Sequence, residues 1–365
     1  MKRIISIFVG ILILISAFSV INPVSAATLE VGAGKTYTTI GAAMAAAGNS
    51  DTILVYPGTY NENVRITVPN LTLKSVGGRD VTTIGPGTGL NSNSIIYIDG
   101  SLGVITVDGF TVLCSDAIPN PSGIIYGFGQ PAGTTCHILN NRIIATGTYL
   151  KNAIQVKGEN STVIGNIIEG KIMGYPRWGS TGILCIATRN LLVKNNHISG
   201  TEHGIAVTEE HRNGNPPGVY NTVIEKNIIE NCLLEGIYIR GNVDNTLIKN
   251  NTIINNPKWG ILEKHLLDYY SGGTYYPYHT GDPCNTKIYY NYFCNNGIDI
   301  ESSNEEHHPN CKHCKLDLMG NTWCKPELPM KEISRILQKA KSKSAAGIIN
   351  TNCIENPESE GCMPQ

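Results

Sequence analysis

Apolar and polar positions alternate in short bursts along most of this chain, and the same residue recurs between the bursts. Seven segments share the form apolar, spacer, Asn, spacer, apolar: HILNNRII around Asn141, TVIGNII around Asn166, LVKNNHIS around Asn196, VIEKNIIE around Asn227, LIKNNTII around Asn251, IYYNYFC around Asn291 and LMGNTWC around Asn321. The steps between these asparagines are 25, 30, 31, 24, 40 and 30 residues. A short period with variable insertions is the signature of a solenoid whose loops leave on one side. A second strand follows each Asn, usually announced by Gly: NAIQV at Ile154, TGILCI at Ile183, HGIAV at Ile205, EGIYI at Ile237, WGIL at Ile261 and NGIDI at Ile298. These units alternate with period two and leave no room for crossover helices, which excludes a doubly wound α/β arrangement.

Coiling such units stacks each strand on its equivalent in the next turn, ~4.8 Å away, as parallel sheets. Asn suits the corners because it tolerates the left-handed conformation and its amide can bond to the amides above and below. The opening coils fall within Asp51 to Ile66, Asn70 to Ile84 and Gly103 to Val112, where Asp108-Gly109 replaces the Asn corner. TTIGAAMAAAG, Thr38 to Gly48, reads as a short helix covering the open N-terminal end of the stack. PELPMKEISRILQKAKS, Pro326 to Ser342, puts Met330, Ile333, Ile336 and Leu337 on one helical face and reads as a second cap or a helix along the side. The expectation is an all-β chain, a single-stranded right-handed parallel β-helix of roughly nine coils, with a short N-terminal cap helix and a C-terminal amphipathic helix.

Composition changes this picture little. A net charge of −1 over 365 residues recruits neither nucleic acid nor an anionic membrane surface, and 39 glycines with 7% aromatic residues suit a turn-dense β protein. Lys2 and Arg3 precede the apolar run Ile4 to Ile21, and Val24-Ser25-Ala26 supplies small residues where a signal peptidase cuts; the alternative is an uncleaved anchor. The expected division is a signal peptide over 1–26, a β-helix domain over 27–324 and a Cys-containing tail over 325–365, in a monomer that is secreted or held at the cell surface.

TTIGAAMAAAGNSDTILVYPGTYNENVRI, followed by LTLKSVGG and the repeated Gly-Ile and Asn-x-Ile units, resembles secreted right-handed parallel β-helix proteins of the pectin-lyase-like superfamily over residues 28 to 324. The resemblance implies a sugar-binding groove on the outer face of the Gly-Ile sheet, and a partner that is a polysaccharide or cell-surface glycan. For reaction it is weak, because this superfamily spans lyases, hydrolases, methylesterases, epimerases and non-catalytic surface proteins. GTYNE at Gly58 resembles the opening of pectin methylesterases, but the later motifs of that family are missing; EHG at Glu202 lacks the companions it has in polygalacturonases, so His203 reads as a surface residue at a strand entry.

With the six isoleucines inward, the outward residues are Gln155 and Lys157, Leu184 and Ile186, Ala206 and Thr208, Tyr238 and Arg240, Leu262 and Lys264, and Asp299 and Glu301. Insertions flank the later coils: one carries Glu209, Glu210 and His211, a second carries His265, Tyr269, Tyr270 and Tyr275, and a third carries Trp178. Eight of the 17 tyrosines lie between Tyr269 and Tyr292, and flat rings with a polar edge suit stacking on sugars. A uronan lyase needs a cation for the carboxylate, a base and an acid, which Arg240, Lys264, His265 and His211 could share. A glycoside hydrolase needs two carboxylates, for which Glu209, Glu210, Glu235, Asp299 and Glu301 are available. The substrate-binding set is Tyr238, Tyr269, Tyr270, Tyr275, Trp178, Asp299 and Glu301, and family lyases often require Ca²⁺. The alternative function is a non-catalytic glycan-binding or structural envelope protein.

Seven of the 11 cysteines lie between Cys284 and Cys362. Cys311, Cys314, Cys324 and His308 have the spacing of a zinc site, whereas export favours disulfides bracing the last coils. Cys114, Cys136, Cys185 and Cys232 fall on or beside strands and read as small core residues.

Overall fold

The computed structural model describes residues 26–87, 93–116, 121–127, 133–147, 150–171, 180–209, 218–264, 269–271, 274–276, 283–302 and 316–324, with backbone alone over 269–271 and 274–276. The C-terminal helix expected over Pro326 to Ser342 lies outside these residues.

Three parallel sheets form the walls of a coil. The first runs through eleven strands from Thr28–Val31 to Leu316–Met319, and the second through ten from Gly58–Asn61 to Thr322–Trp323. The third steps through nine coils from Val64–Ile66 to Ile298–Ser302, with the short strands Val219–Tyr220 and Val243–Asp244 at its side. Every pairing within these walls is between residues a full turn apart, so period two becomes stacking. Ile53, Leu73, Val107, Ile138, Val163, Val193, Ile224, Ile248, Ile288 and Leu318 form one unbroken inward column, all buried. Ile96, Ile124, Ile154, Ile183, Ile205, Ile237, Ile261 and Ile300 form another. Such columns place a branched side chain on its own kind at every rung, which suits the stiff χ1 of isoleucine.

The register corrects one expectation. Ile300, not Ile298, continues the inward column, and Ile298 stands beside Trp259. Glu301 keeps its outward position, beside Leu262, whereas Asp299 falls at the register position of the inward Gly260 and its carboxylate meets Asn296 of the interior.

The corners divide between neighbours the two roles that the sequence assigns to one asparagine. The left-handed residue is the one before the recurrent Asn: Asn140, Gly165, Asn195, Lys226, Asn250, Tyr290 and Gly320 all have φ between 53° and 70°. The recurrent Asn itself turns inward and builds a ladder. Asn196 Oδ1 accepts from the backbone N–H and the side-chain amide of Asn166, at 2.9 and 3.0 Å, while its Nδ2 donates to Asn227 Oδ1 and Val163 O, both at 2.9 Å. The same bonds link Asn141 to Asn166 and continue from Asn227 through Asn251 and Asn291 to Asn321. At its N-terminal end the ladder accepts from the Phe110 N–H, and Gly109, at φ 85°, turns the Asp108-Gly109 corner. A second inner ladder runs from the Cys232 N–H to Asn256 and Asn296. In NTLIKNNTIINN, residues 245–256, Asn245, Asn250 and Asn255 are thus left-handed corners, and Asn251 and Asn256 are ladder rungs.

The N-terminal helix spans Ile40–Ala46, where Thr39 accepts from the Ala42 N–H at 3.2 Å and Glu62 accepts from the N–H groups of Ile40 and Gly41. Ile40, Ala43 and Met44 close the apolar column beneath. The four cysteines expected in the core, Cys114, Cys136, Cys185 and Cys232, are buried free thiols. Cys294 and Cys324 are joined by a disulfide, which ties the last two coils of the second sheet together. This removes Cys324 from the zinc-ligand set; Cys311, Cys314 and His308 lie outside the described residues.

Candidate functional site

Three successive strands of the third sheet, His203–Thr208, Glu235–Arg240 and Trp259–Lys264, present their outward residues in rows. Each begins with a residue immediately before Gly-Ile, and parallel register sets those residues side by side: Thr181, His203, Glu235, Trp259 and then Ile298. The glycines face inward against the carbonyl of the next coil: a Cβ on Gly204 would stand 2.4 Å from Gly236 O, and one on Gly236 would stand 2.7 Å from Gly260 O. Two consecutive inward residues, Gly and Ile, therefore turn the preceding side chain outward.

His203 Nδ1 is hydrogen-bonded to Glu235 Oε2, and the His203 ring stacks on Tyr238 of the next coil with centroids 5.5 Å apart and planes 18° from parallel. In a neutral imidazole that donates from Nδ1 to the Glu235 carboxylate, Nε2 carries the lone pair. Glu235 is 5% exposed, which takes its carboxylate out of contact with bulk water. Burial pushes the Tyr238 hydroxyl above its ordinary value, against the pull of Arg240, so it is a protonated donor at neutral pH. Beyond Tyr238 the register places Arg240 beside Lys264 and beside Thr208. No carboxylate pairs with Arg240 or Lys264 among the described residues. Trp259 Nε1 donates to Glu301 Oε2 at 2.7 Å, and Lys258 Nζ lies 5.9 Å from the centre of the Trp259 ring.

Part of this face is a covered floor, on the coils of the site as well as on those before it. Gln155, Lys157, Ile186, Ala206 and Leu262 are outward by parity yet no more than 6% exposed. Gln155 is fixed by Asn152 and the Tyr126 carbonyl. On the coils of the site the less buried outward side chains are His203, Tyr238, Arg240 and Lys264.

Other expected residues take different positions. Glu209 is buried, and its Oε2 accepts from the Asn242 N–H at 2.9 Å, so it serves the Arg240-Gly241-Asn242 corner. Asp299 accepts from Asn296 Nδ2 at 2.8 Å, and burial raises its carboxyl above the ordinary range. Tyr269 and Tyr270 pair with Tyr276 and Tyr275 in a small antiparallel hairpin. His211, Glu210, His265 and Trp178 lie outside the described residues. His203 and Glu235, which form the polar centre of the face, are missed by reading His203 as a lone surface residue; aligning the Gly-Ile motifs sets one above the other.

Among the described residues the carboxylates of this face already have partners. Glu235 is committed to His203, Glu301 to Trp259 and Asp299 to Asn296, and Arg240 with Lys264 puts positive charge beside them. Among the described residues no group of three or more His, Cys, Asp or Glu side chains could hold an ion, and no helix is long and apolar enough to cross a membrane.

No curated protein matches the chain. Among solved structures it is similar to an alginate lyase from Paenibacillus sp. str. FPU-7, with 14% identity and a TM-score of 0.53 over 82% of this chain and 95% of that one. It is also similar to PfbA, a surface adhesin of Streptococcus pneumoniae, with 13% identity and a TM-score of 0.50 over 74% of this chain and 71% of that one. Identities this low are evidence of a shared fold alone. The model of the right handed beta helix region matches residues 94–276, half of the chain, and with three parallel sheets wound over that same stretch the protein belongs to the right-handed β-helix family.

Proposed function

We propose that this is an exported β-helix protein that binds an acidic polysaccharide across the coils of His203, Tyr238 and Lys264, and cleaves it by β-elimination. The observation that carries the reading is the placement along one face of an oriented imidazole, a protonated phenol and two adjacent cations that pair with no carboxylate among the described residues.

Elimination next to a uronate carboxylate requires charge neutralisation, a base and an acid. Arg240 and Lys264 would hold the carboxylate and stabilise the charge that develops as the neighbouring proton leaves. His203 Nε2 would accept that proton, with Glu235 fixing the ring and stabilising the imidazolium. Tyr238 would give its proton to the departing glycosidic oxygen. Trp259, held by Glu301, offers a flat ring for the adjoining sugar. Hydrolysis is less well supported, because it needs an uncommitted pair of carboxylates, and Glu235, Glu301 and Asp299 all have partners here. The activity in the name of the Paenibacillus neighbour agrees with this chemistry, and that of the streptococcal adhesin agrees with glycan binding without it.

The test is incubation with a panel of acidic and neutral polysaccharides, following unsaturated products in the ultraviolet and new reducing ends, with and without added calcium. Ultraviolet-absorbing product from an acidic polymer, lost by at least ~100-fold in His203→Gln and accompanied by a raised KM in Arg240→Ala/Lys264→Ala, is the expected result. Reducing ends without unsaturation would replace elimination by hydrolysis. Binding without product would leave a glycan-binding module.

A further inference from the structure

Far from the groove, the first strand is anchored by a buried carboxylate. Asp51 is 5% exposed, and its two oxygens accept from two main-chain nitrogens, Ala27 N to Oδ1 and Gly48 N to Oδ2, both at 2.6 Å. These are shorter than ordinary amide bonds, on the side of charge-assisted ones. Among the described residues no cationic side chain pairs with Asp51. A buried carboxylate with neutral donors only is poorly compensated for the hydration it has lost.

The position of Ala27 is set independently of that bond. Its carbonyl accepts from the Thr52 N–H at 2.8 Å, and the strand Thr28–Val31 starts at the next residue in parallel register with Thr52–Val55. Ala26 and Ala27 are both exposed. The residues just ahead, Val24-Ser25-Ala26, place small side chains one and three positions before the Ala26–Ala27 bond, which is the pattern a signal peptidase reads. The nitrogen that such a cut would free is the one already directed at Asp51.

We propose that the chain is processed between Ala26 and Ala27 and that the new α-ammonium becomes the cation of Asp51, so that removal of the leader completes the N-terminal anchor of the solenoid. The cut is a hydrolysis: the C–N bond between Ala26 and Ala27 breaks, the hydroxyl of water goes to the Ala26 carbonyl, and the nitrogen ends as an ammonium once the new acid has lost its proton. None of the bonds made by Ala27 or Asp51 lies upstream of the cut, so the anchor keeps its geometry and gains a charge. The inference rests on the export reading and is independent of the groove chemistry. An uncut leader would overturn it while leaving the polysaccharide assay unaffected.

The full-length chain, expressed in a secreting host, is expected to yield an exported product whose intact mass and N-terminal sequence start at Ala27. Retention of the leader, or a start elsewhere, overturns the proposal. For the ion pair, the chain starting at Ala27 is compared with one carrying a single extra Gly ahead of it, each with Asp51 and with Asp51→Asn. The extra residue is expected to lower the Tm by about 2–4 °C when Asp51 is present and to have no effect in the Asp51→Asn pair. An equal effect in both backgrounds overturns the pairing. A readout on the unsubstituted protein is acylation of the α-amine, expected to be about tenfold slower in the native chain than in urea; equal rates would also sink it.

Discussion

Asn195 and Asn196 are adjacent and identical, yet they are expected to respond oppositely to substitution. Asn196 is buried within the ladder, and Asn196→Ala removes four hydrogen bonds at once. The Asn227 amide oxygen keeps the backbone N–H of residue 196 as a donor, and the Asn166 amide keeps its bond to the Ile138 carbonyl. Left without these partners are the Asn166 N–H, one Asn166 amide hydrogen and one bond to the Val163 carbonyl. At about 1–3 kcal/mol for each orphaned buried group, the loss comes to about 3–9 kcal/mol. That is a large share of the roughly 5–15 kcal/mol that holds a typical domain together.

Asn195 is exposed at φ 53° and makes no side-chain hydrogen bond among the described residues. Asn195→Gly is therefore expected to fall within about 0.5 kcal/mol of wild type, because glycine adopts the left-handed region without a Cβ penalty. Asn195→Ala should cost about 1 kcal/mol through that penalty alone. The assay is urea unfolding followed by circular dichroism, with hydrogen exchange at the Asn166 amide as a local probe. Exchange there should accelerate in Asn196→Ala and not in Asn195→Gly. A ladder variant within 1 kcal/mol of wild type, or a corner variant as costly as the ladder variant, would refute the division of roles.

Three further outcomes are expected. Glu263 lies inside the coil, where Thr286 and Ser302 donate to its two oxygens at 2.6 and 2.7 Å and burial raises its carboxyl above the usual 4.5. A raised folded value means that the native state holds its proton longer than the unfolded chain, so stability falls as pH rises from the unfolded value through the folded one; Glu263→Gln should therefore be more stable than wild type at neutral pH, with the gap closing below about pH 4, as thermal melts across pH will show. The Cys294–Cys324 bridge closes a loop across 30 residues, so Cys294→Ser/Cys324→Ser should lose about 3.5 kcal/mol by chain entropy and expose the last coil first to limited proteolysis. Cys114, Cys136 and Cys232, with thiols pushed up to about 12 by burial, should be silent to a thiol reagent in the native protein and should titrate fully once it is unfolded in denaturant.

The fold was legible because a solenoid writes its period into the chain. Each coil buries the same positions, so the Gly-Ile strands and the Asn corners repeat whatever the insertion between them. Finer details depend on quantities that a single coil does not reveal. Whether an asparagine turns the backbone or faces the interior depends on a shift of one residue; in the pair Asn250-Asn251 the sequence shows both and labels neither. Lys226 and Tyr290 hold the left-handed position with no help from composition, because the ladder residue that follows them fixes the corner from inside. At the last coil, Ile298 and Ile300 fit the apolar pattern equally well, and only pairing with Trp259 and Ile261 separates them.

The candidate site had the same difficulty in sharper form. Arg240 and Lys264 were readable as outward residues on successive coils, since parity alone puts them there. His203 and Glu235 are 32 residues apart, and neither belongs to a recognisable catalytic motif. What joins them is the inward Gly-Ile step, which reverses the parity of the residue before it and sets Thr181, His203, Glu235 and Trp259 in one row. The same argument ranks the candidates: outward side chains on adjacent coils can act on one sugar chain, whereas Glu209 is 1% exposed and holds a corner N–H through Oε2. If the chemistry lies on this face, replacing Glu235 by Gln should change the pH dependence of turnover through His203, while Glu209→Gln should change stability and leave that profile in place. A matching shift in the pH profile from both substitutions would remove His203 from the role of base.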